Sequence, residues 1–335
     1  MKMQLSGICK SNRGSEMMGD SIVEMLKDRY GDDLSISLLV RRKWKSEADV
    51  IFDSSGFSYG DKWGGKALKK SEISRKLFAK QKKAGCKTIF MPQTVGSFHS
   101  KGLAESFKSL MELSDLAFVR DSYSLAYAQE VAPECDIQQF PDFTFDYKPT
   151  QSGRFEKYRN GFCLIPNRKL ATHDKYGEDD CIGFFKEVLS LVGKESNPYF
   201  ATFEDDDKFI AEGVNKDLGL DIPIIMGDPR KVTEAVSVAR SAISFRFHGL
   251  IRVLNYCIPT ITCGWAHKYR GLFEDFDIED CYMENLEDVF KVKLLLNKDS
   301  HNNIKDRIAK NLEIQKDKMN LMWDKIFNLI EKTND

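Results

Sequence analysis

Short apolar runs of strand length alternate with longer stretches of helical periodicity along nearly the whole chain, and this pattern constrains the fold most. A parallel sheet needs a crossover of a dozen or more residues between paired strands, usually a helix, so the alternation predicts a parallel α/β architecture. The first series reads Met3–Cys9 (strand), Gly19–Tyr30 (helix), Ser35–Val40 and Ala48–Phe52 (strands), Glu72–Ala84 (helix), Lys87–Met91 (strand), Lys101–Leu113 (helix) and Leu116–Arg120 (strand). One more short strand is expected before Pro141.

Around Asp146–Tyr158 the apolar pattern gives way to polar residues with Pro149 and Gly153, as in a linker. A second series follows: Gly161–Ile165 (strand), Asp179–Val192 (helix), Tyr199–Phe203 (strand), Asp205–Leu218 (helix), Pro223–Met226 (strand) and Pro229–Arg240 (helix). Its last strands are Ala242–Phe245 and the run Ile-Pro-Thr-Ile-Thr ending at Thr262. From Asn303, Ile304, Ile308, Leu312, Met319, Met322, Ile326 and Leu329 recur at helical spacing, predicting one long amphipathic helix. A chain of 335 residues exceeds one ordinary core. The expected domains are therefore 1–150 and 151–302, with a packing helix over 303–332 that returns to the first domain.

With 50 basic and 51 acidic residues the net charge is −1, so no general basic field draws in nucleic acid. The local runs Arg41-Arg42-Lys43 and Lys80–Lys83 read as solvated faces. No apolar run approaches the roughly 20 residues that cross a bilayer. The first residues lack a signal-peptide core, which predicts a cytoplasmic protein. Eight scattered cysteines form no C-x-x-C pair; Cys9, Cys163 and Cys257, beside apolar residues, read as reduced core thiols. Neither a metal site nor a cofactor is expected.

Ligands of parallel sheets bind beyond the carboxyl ends of the strands, so the loops there are the candidates. Ser11–Asp20 offers Asn12, Arg13, Ser15 and Glu16 with Gly14 and Gly19, either for an anion and sugar hydroxyls or as a capped helix start. It is neither a dinucleotide fingerprint nor a P-loop. Asp53–Gly65 combines Gly56 and further glycines with Tyr59, Asp61 and Trp63, either a sugar-binding wall or an unspecialised loop. Gln93 and His99 lie in the next loop, and Arg120 precedes the helix start Asp121-Ser122. Asn167-Arg168-Lys169 follows the first strand of the second series, with Arg168 as a cationic candidate.

The sharpest constellation is Ser241–Gly271. If its strand continues, Ser244, Arg246 and His248 share one side. A guanidinium grips carboxylate or phosphate bidentately, and an imidazole can pass a proton near neutrality. A buried ion-paired Arg and a core His fit the same pattern. His267, Lys268 and Arg270 follow the next strand as a second cationic cluster.

Ser244-Phe-Arg-Phe-His248-Gly-Leu, with Pro259 and His267-Lys268-Tyr269-Arg270-Gly271 after it, resembles the C-terminal signature of the polysaccharide pyruvyl transferase family. Asn12-Arg-Gly-Ser-Glu16, Phe52–Asp61, Pro92-Gln-Thr-Val-Gly96 and Val119-Arg-Asp-Ser122 resemble its earlier motifs in order, so the likeness covers roughly residues 5–275. One departure is Ser54-Ser55-Gly56, where a second glycine is common.

The resemblance implies two Rossmann-like parallel-sheet domains in a GT-B-like arrangement. It also implies transfer of the pyruvyl group of phosphoenolpyruvate onto two sugar hydroxyls as a ketal, in capsule, exopolysaccharide or cell-wall polymer synthesis. Arg246 and His248 would be catalytic, and Arg246, Lys268, Arg168 and Arg120 would hold the donor. Asn12, Arg13, Glu16, Asp53, Gly56, Tyr59, Trp63 and Gln93 would face the acceptor, a sugar or lipid-linked oligosaccharide met at the cytoplasmic face of the membrane. Glu16, Asp53 and Asp61 are alternative general bases. A GT-B glycosyltransferase using a nucleotide sugar, and a non-catalytic glycan- or anion-binding module, are the competing readings.

Overall fold

The computed structural model describes residues 1–9, 12–38, 48–173 and 176–332. Ser11, the end of the second expected strand and the Arg41-Arg42-Lys43 run lie outside the described residues. The chain divides into two compact units, one of Met1–Ser11, Ser15–Thr144 and Gln315–Asp335, the other of Asn12–Gly14 and Phe145–Ile314.

In the first unit the strands are β1 (Lys2–Ser6), β2 (Ser35–Leu38), β3 (Val50–Asp53), β4 (Phe57–Tyr59), β5 (Lys87–Val95), β6 (Leu116–Val119) and β7 (Ile137–Gln139). The helices are α1 (Arg13–Tyr30, whose first two residues group with the second unit), α2 (Gly65–Lys83), α3 (Lys101–Glu112) and α4 (Ser122–Val131). The parallel sheet has the order β2-β1-β3-β5-β6-β7, with β4 paired to β5. Lys80, Lys82 and Lys83 are exposed on the last turn of α2, where they complement the helix dipole.

The second unit has β8 (Phe162–Ile165), α5 (Arg168–His173), α6 (Glu178–Val192), β9 (Tyr199–Ala201), α7 (Lys208–Leu218), β10 (Ile224–Ile225), α8 (Pro229–Ser237) and β11 (Ser241–Ser244). Then come α9 (Phe247–Asn255), β12 (Thr260–Cys263), α10 (His267–Asp275), β13 (Tyr282–Met283), α11 (Val292–Leu296) and α12 (Lys298–Glu331). Its parallel sheet runs β10-β9-β8-β11-β12-β13. From β8 the chain winds outward to one edge, and from β11 it winds outward to the other. The strand order therefore reverses between β8 and β11, where doubly wound sheets open a crevice.

Several starts differ from the sequence reading. Helix α1 begins at Arg13, not Gly19, and α2 at Gly65, not Glu72, because polar and glycine-rich first turns carry no apolar stripe to read. Strand β5 runs on to Val95 through Pro92; its pairing with β6 shifts register between Phe90 and Gln93, which accommodates a residue lacking an N–H. Strand β11 stops at Ser244 and α9 begins at Phe247, so Arg246 and His248 stand at a helix start and not along a strand face.

Apolar packing accounts for both units. In the first, Tyr59, Phe78, Phe90 and Phe107 are fully buried together with Leu77, Val95 and Leu110. On α12, Ile304, Ile308, Leu312, Met319, Met322 and Ile326 are buried as the stripe predicts, while Leu329 is half-buried and Ile330 takes the inner position. Its last turns pack in the first unit, where Trp323 stacks on Phe327 with centroids 5.8 Å apart. Among the described residues no helix is long and apolar enough to cross a membrane. Burial pushes the thiols of Cys86, Cys163, Cys181 and Cys281 up to about 12, while Cys9, expected in the core, is exposed.

Candidate active site

The loops after four neighbouring strands, β9, β8, β11 and β12, carry the polar residues on either side of the point where the strand order reverses. Arg246 caps α9 without a side-chain cap bond and is 8% exposed. Its Nε donates to Asp207 Oδ2 at 2.7 Å and one terminal nitrogen donates to Asp207 Oδ1 at 2.5 Å, a bidentate grip. The other terminal nitrogen donates to Glu204 Oε1 at 2.8 Å. Asp207 is 0% exposed and also accepts from the backbone N–H of Arg168 at 3.0 Å and of Glu204 at 3.1 Å. One carboxylate thus ties together the loops after β8, β9 and β11. Burial pushes its carboxyl above the usual range, against the opposing pull of the Arg246 guanidinium.

Glu204 is a second meeting point. Besides Arg246, Asn12 Nδ2 donates to the same Oε1 at 2.9 Å and Lys169 Nζ at 3.1 Å. Arg13 pairs with Asp205 at 2.5 Å. Arg168 donates from Nε to Glu178 at 2.6 Å, and its guanidinium lies 4.8 Å from the centre of the Phe209 ring. Buried Asn167 donates to the Phe245 carbonyl at 2.7 Å, and Tyr269 donates to the same carbonyl at 3.1 Å. These bonds fix the turn that presents Arg246 and His248.

His248 is half-buried in the first turn of α9, its ring edge-on to Phe247. A methyl group on Gly14 would stand 2.1 Å from His248 Nδ1, so the imidazole occupies the space left by the missing side chain. Gly14→Ala should lower the melting temperature, since the added methyl group must push the imidazole aside, an overpacking cost of about 1–3 kcal/mol. The displaced imidazole should lower kcat by about a hundredfold, as misplacement on the order of 1 Å does. Unchanged kcat in steady-state assays would separate His248 from the chemistry.

Lys268 is 8% exposed in the first turn of α10, with Nζ at 4.9, 5.2 and 5.5 Å from the ring centres of Phe247, Trp265 and Tyr269. The three aromatic faces attract the ammonium and fix its position. Arg270, expected beside it as an anion contact, pairs with Glu284 and lies over Tyr282.

The first-unit residues fare differently. Asp53 is 0% exposed, accepting from Ser55 Oγ at 2.6 Å, Tyr59 OH at 2.7 Å and Ser74 Oγ at 2.9 Å. Gln93, also 0% exposed, donates to the Asp53 carbonyl at 3.1 Å and accepts from the Ser55 N–H at 3.0 Å. Tyr59 is fully buried against Phe90 and Phe107, and burial beside Asp53 pushes its phenol well above 10. The expected acceptor residues Asp53, Tyr59 and Gln93 are thus buried in one hydrogen-bonded group with Ser55 and Ser74 and do not line an open wall.

Tyr59→Phe should cost about 1–2 kcal/mol by removing a donor from a buried carboxylate. A urea midpoint would show the loss, with KM for the acceptor unchanged. Gly56 takes a φ of +71, which suits glycine, and half-buried Trp63 packs edge-on to Phe57. Asp61, a candidate base, accepts from the backbone of His99 and Ser100 at the start of α3.

Arg120, expected at the donor, is buried in the first unit and donates to Asp142 at 2.9 Å and Thr94 at 2.6 Å. It is not grouped with Arg246, Arg168 and Lys268. Asn12 and Arg13, expected with the acceptor on the first domain, group instead with the second unit on Glu204 and Asp205. Glu16 stays with the first unit, in the first turn of α1. Glu204 and Asp207 escaped the sequence reading because Glu204-Asp-Asp-Asp207 looks like an ordinary acidic helix start. Among the described residues, no group of three or more His, Cys, Asp or Glu could hold a metal ion.

Two parallel-sheet α/β domains with a helical C-terminus, and a polar cluster at a strand-order switch, place the chain in the GT-B fold class. The sequence model of the polysaccharide pyruvyl transferase family matches residues 12–267, and the chain belongs to that family, one of transferases in polysaccharide biosynthesis. No curated protein matches the chain in sequence. Similar solved structures include S. aureus MnaA with UDP, at TM-score 0.60 and 10% identity over 92% of this chain and 90% of that one. Another is the UDP-GlcNAc 2-epimerase of Methanocaldococcus jannaschii with UDP-GlcNAc and UDP, at 0.55 and 12% over 94% and 100%. The Neisseria meningitidis UDP-GlcNAc 2-epimerase bound to UDP-GlcNAc gives 0.54 and 9% over 93% and 99%. At such identities the likeness shows the fold alone.

Proposed function

We propose that the chain transfers the pyruvyl group of phosphoenolpyruvate to two hydroxyls of a sugar, closing a cyclic ketal and releasing phosphate. One observation carries this reading most. Arg246, His248 and Lys268 occupy the starts of α9 and α10, two helices that follow the adjacent strands β11 and β12, and neither helix has a side-chain cap bond. Helix starts favour anions, and two of them beside a guanidinium and an ammonium suit a donor bearing both carboxylate and phosphate.

The chemistry follows from these residues. His248 protonates the methylene carbon of the enol, which leaves an oxocarbenium-like centre at the neighbouring carbon. One sugar hydroxyl adds there and its proton restores that of His248; phosphate departs with its bridging oxygen, and the second hydroxyl closes the ring, its proton leaving with the phosphate. Arg246 and Lys268 stabilise the charge that gathers on the leaving phosphate. The acceptor is a sugar, free or lipid-linked.

A thermal-unfolding series discriminates this reading from use of a nucleotide sugar. Phosphoenolpyruvate should raise the melting temperature in a saturable way, and UDP should not. Protection by UDP without protection by phosphoenolpyruvate would reverse the assignment.

A further inference from the structure

The two carboxylates on Arg246 sit in different surroundings. Asp207 is 0% exposed and uses both oxygens, so it is a fixed strut. Glu204 has an 18% exposed side chain, and three donors from separate segments meet at its single oxygen Oε1. A guanidinium, an ammonium and an amide trained on one point are what a phosphate or carboxylate oxygen requires. The neighbouring Arg13 is held by Asp205, whose side chain is 72% exposed, and such a pair is readily exchanged.

We propose that Glu204 is a built-in placeholder for an anionic oxygen of the substrate. On binding, a ligand oxygen takes the place of Glu204 Oε1 on Arg246, Lys169 and Asn12, and the glutamate swings toward solvent. A multiply charged ligand exchanges favourably with one carboxylate, while the empty site avoids three unsatisfied donors facing a partly buried space. Glu204 then sets donor affinity by competition, and it makes the site select anions of high charge. The identity of the ligand rests on the pyruvyl-transfer reading; the placeholder itself does not.

Calorimetric titration of phosphoenolpyruvate and, separately, inorganic phosphate into wild type and Glu204→Gln tests this. Gln keeps the shape and an acceptor oxygen but removes the competing charge. Both anions should bind the variant about tenfold more tightly, the effect expected when a like charge leaves the site. Unchanged or weaker binding of both would make Glu204 a second strut for Arg246 and overturn the inference, even if the wild type turns over phosphoenolpyruvate. Tighter phosphate binding with no phosphoenolpyruvate binding to either protein would uphold the placeholder and sink the pyruvyl reading. Should the variant fail to fold, a structure of the wild type soaked in phosphoenolpyruvate decides. A ligand oxygen on Arg246, Lys169 and Asn12 with Glu204 turned away supports the exchange, and Glu204 still seated on Arg246 beside bound ligand refutes it.

Discussion

His248→Gln is expected to lower kcat by about a thousandfold, the range for losing a positioned general acid, while phosphoenolpyruvate binding stays within about threefold of wild type. Glutamine can fill the space beside Gly14 and keep polar contact, but it cannot deliver a proton to carbon. The split between turnover and affinity separates proton transfer from electrostatic holding. Equal loss of both would make His248 a phosphate contact and leave the proton donor elsewhere.

Arg246→Ala should act on binding and stability together. It removes the bidentate partner of Asp207 and a donor to Glu204, so phosphoenolpyruvate affinity should fall by about a hundredfold. It also strands a 0% exposed carboxylate, at a cost of about 3–5 kcal/mol near neutral pH. The pH dependence has a definite sign. Burial already holds the Asp207 carboxyl above its ordinary value, with Arg246 drawing it down. An acid whose folded value is raised binds its proton more tightly in the folded state, so its contribution to stability falls as pH rises from the unfolded value through the folded one. Without Arg246 the folded value climbs further and that window extends upward. The variant's deficit in urea unfolding should therefore grow as pH rises and shrink as pH falls, where Asp207 takes up a proton. A deficit that does not vary with pH would mean that Arg246 acts by packing alone.

Much of this fold is legible in the chain, for reasons that also mark where reading fails. Buried parallel strands such as Val50–Asp53, apolar up to its last residue, and Phe162–Ile165 are short apolar runs between helical stretches, and the stripe of α12 is periodic over about six turns from Ile304 to Ile326. Edge strands of two or three residues, β4 and β13, are too short to show any period. The starts of α1, α2 and α9 were hidden because Gly14, Gly65 and Arg246 resemble loop residues until a helix is seen to begin there.

The site divides in the same way. Arg246, His248 and Lys268 are visible because their residue types stand at strand ends within a recognisable spacing. Asp207 lies 39 positions before Arg246, and no local pattern announces such a pairing. Tyr59 misled for the opposite reason: an aromatic ring in a glycine-rich stretch looks exposed, whereas a three-residue strand turns it into the core.

The central claim is pyruvyl transfer, and mass spectrometry of a competition mixture tests it most directly. The protein is incubated with phosphoenolpyruvate, a UDP-sugar and a panel of free and lipid-linked glycosides. Pyruvyl transfer predicts one acceptor that gains a pyruvate less one water, with an equal amount of phosphate released and the UDP-sugar untouched. Release of UDP with a glycosylated acceptor, and phosphoenolpyruvate left intact, would contradict it.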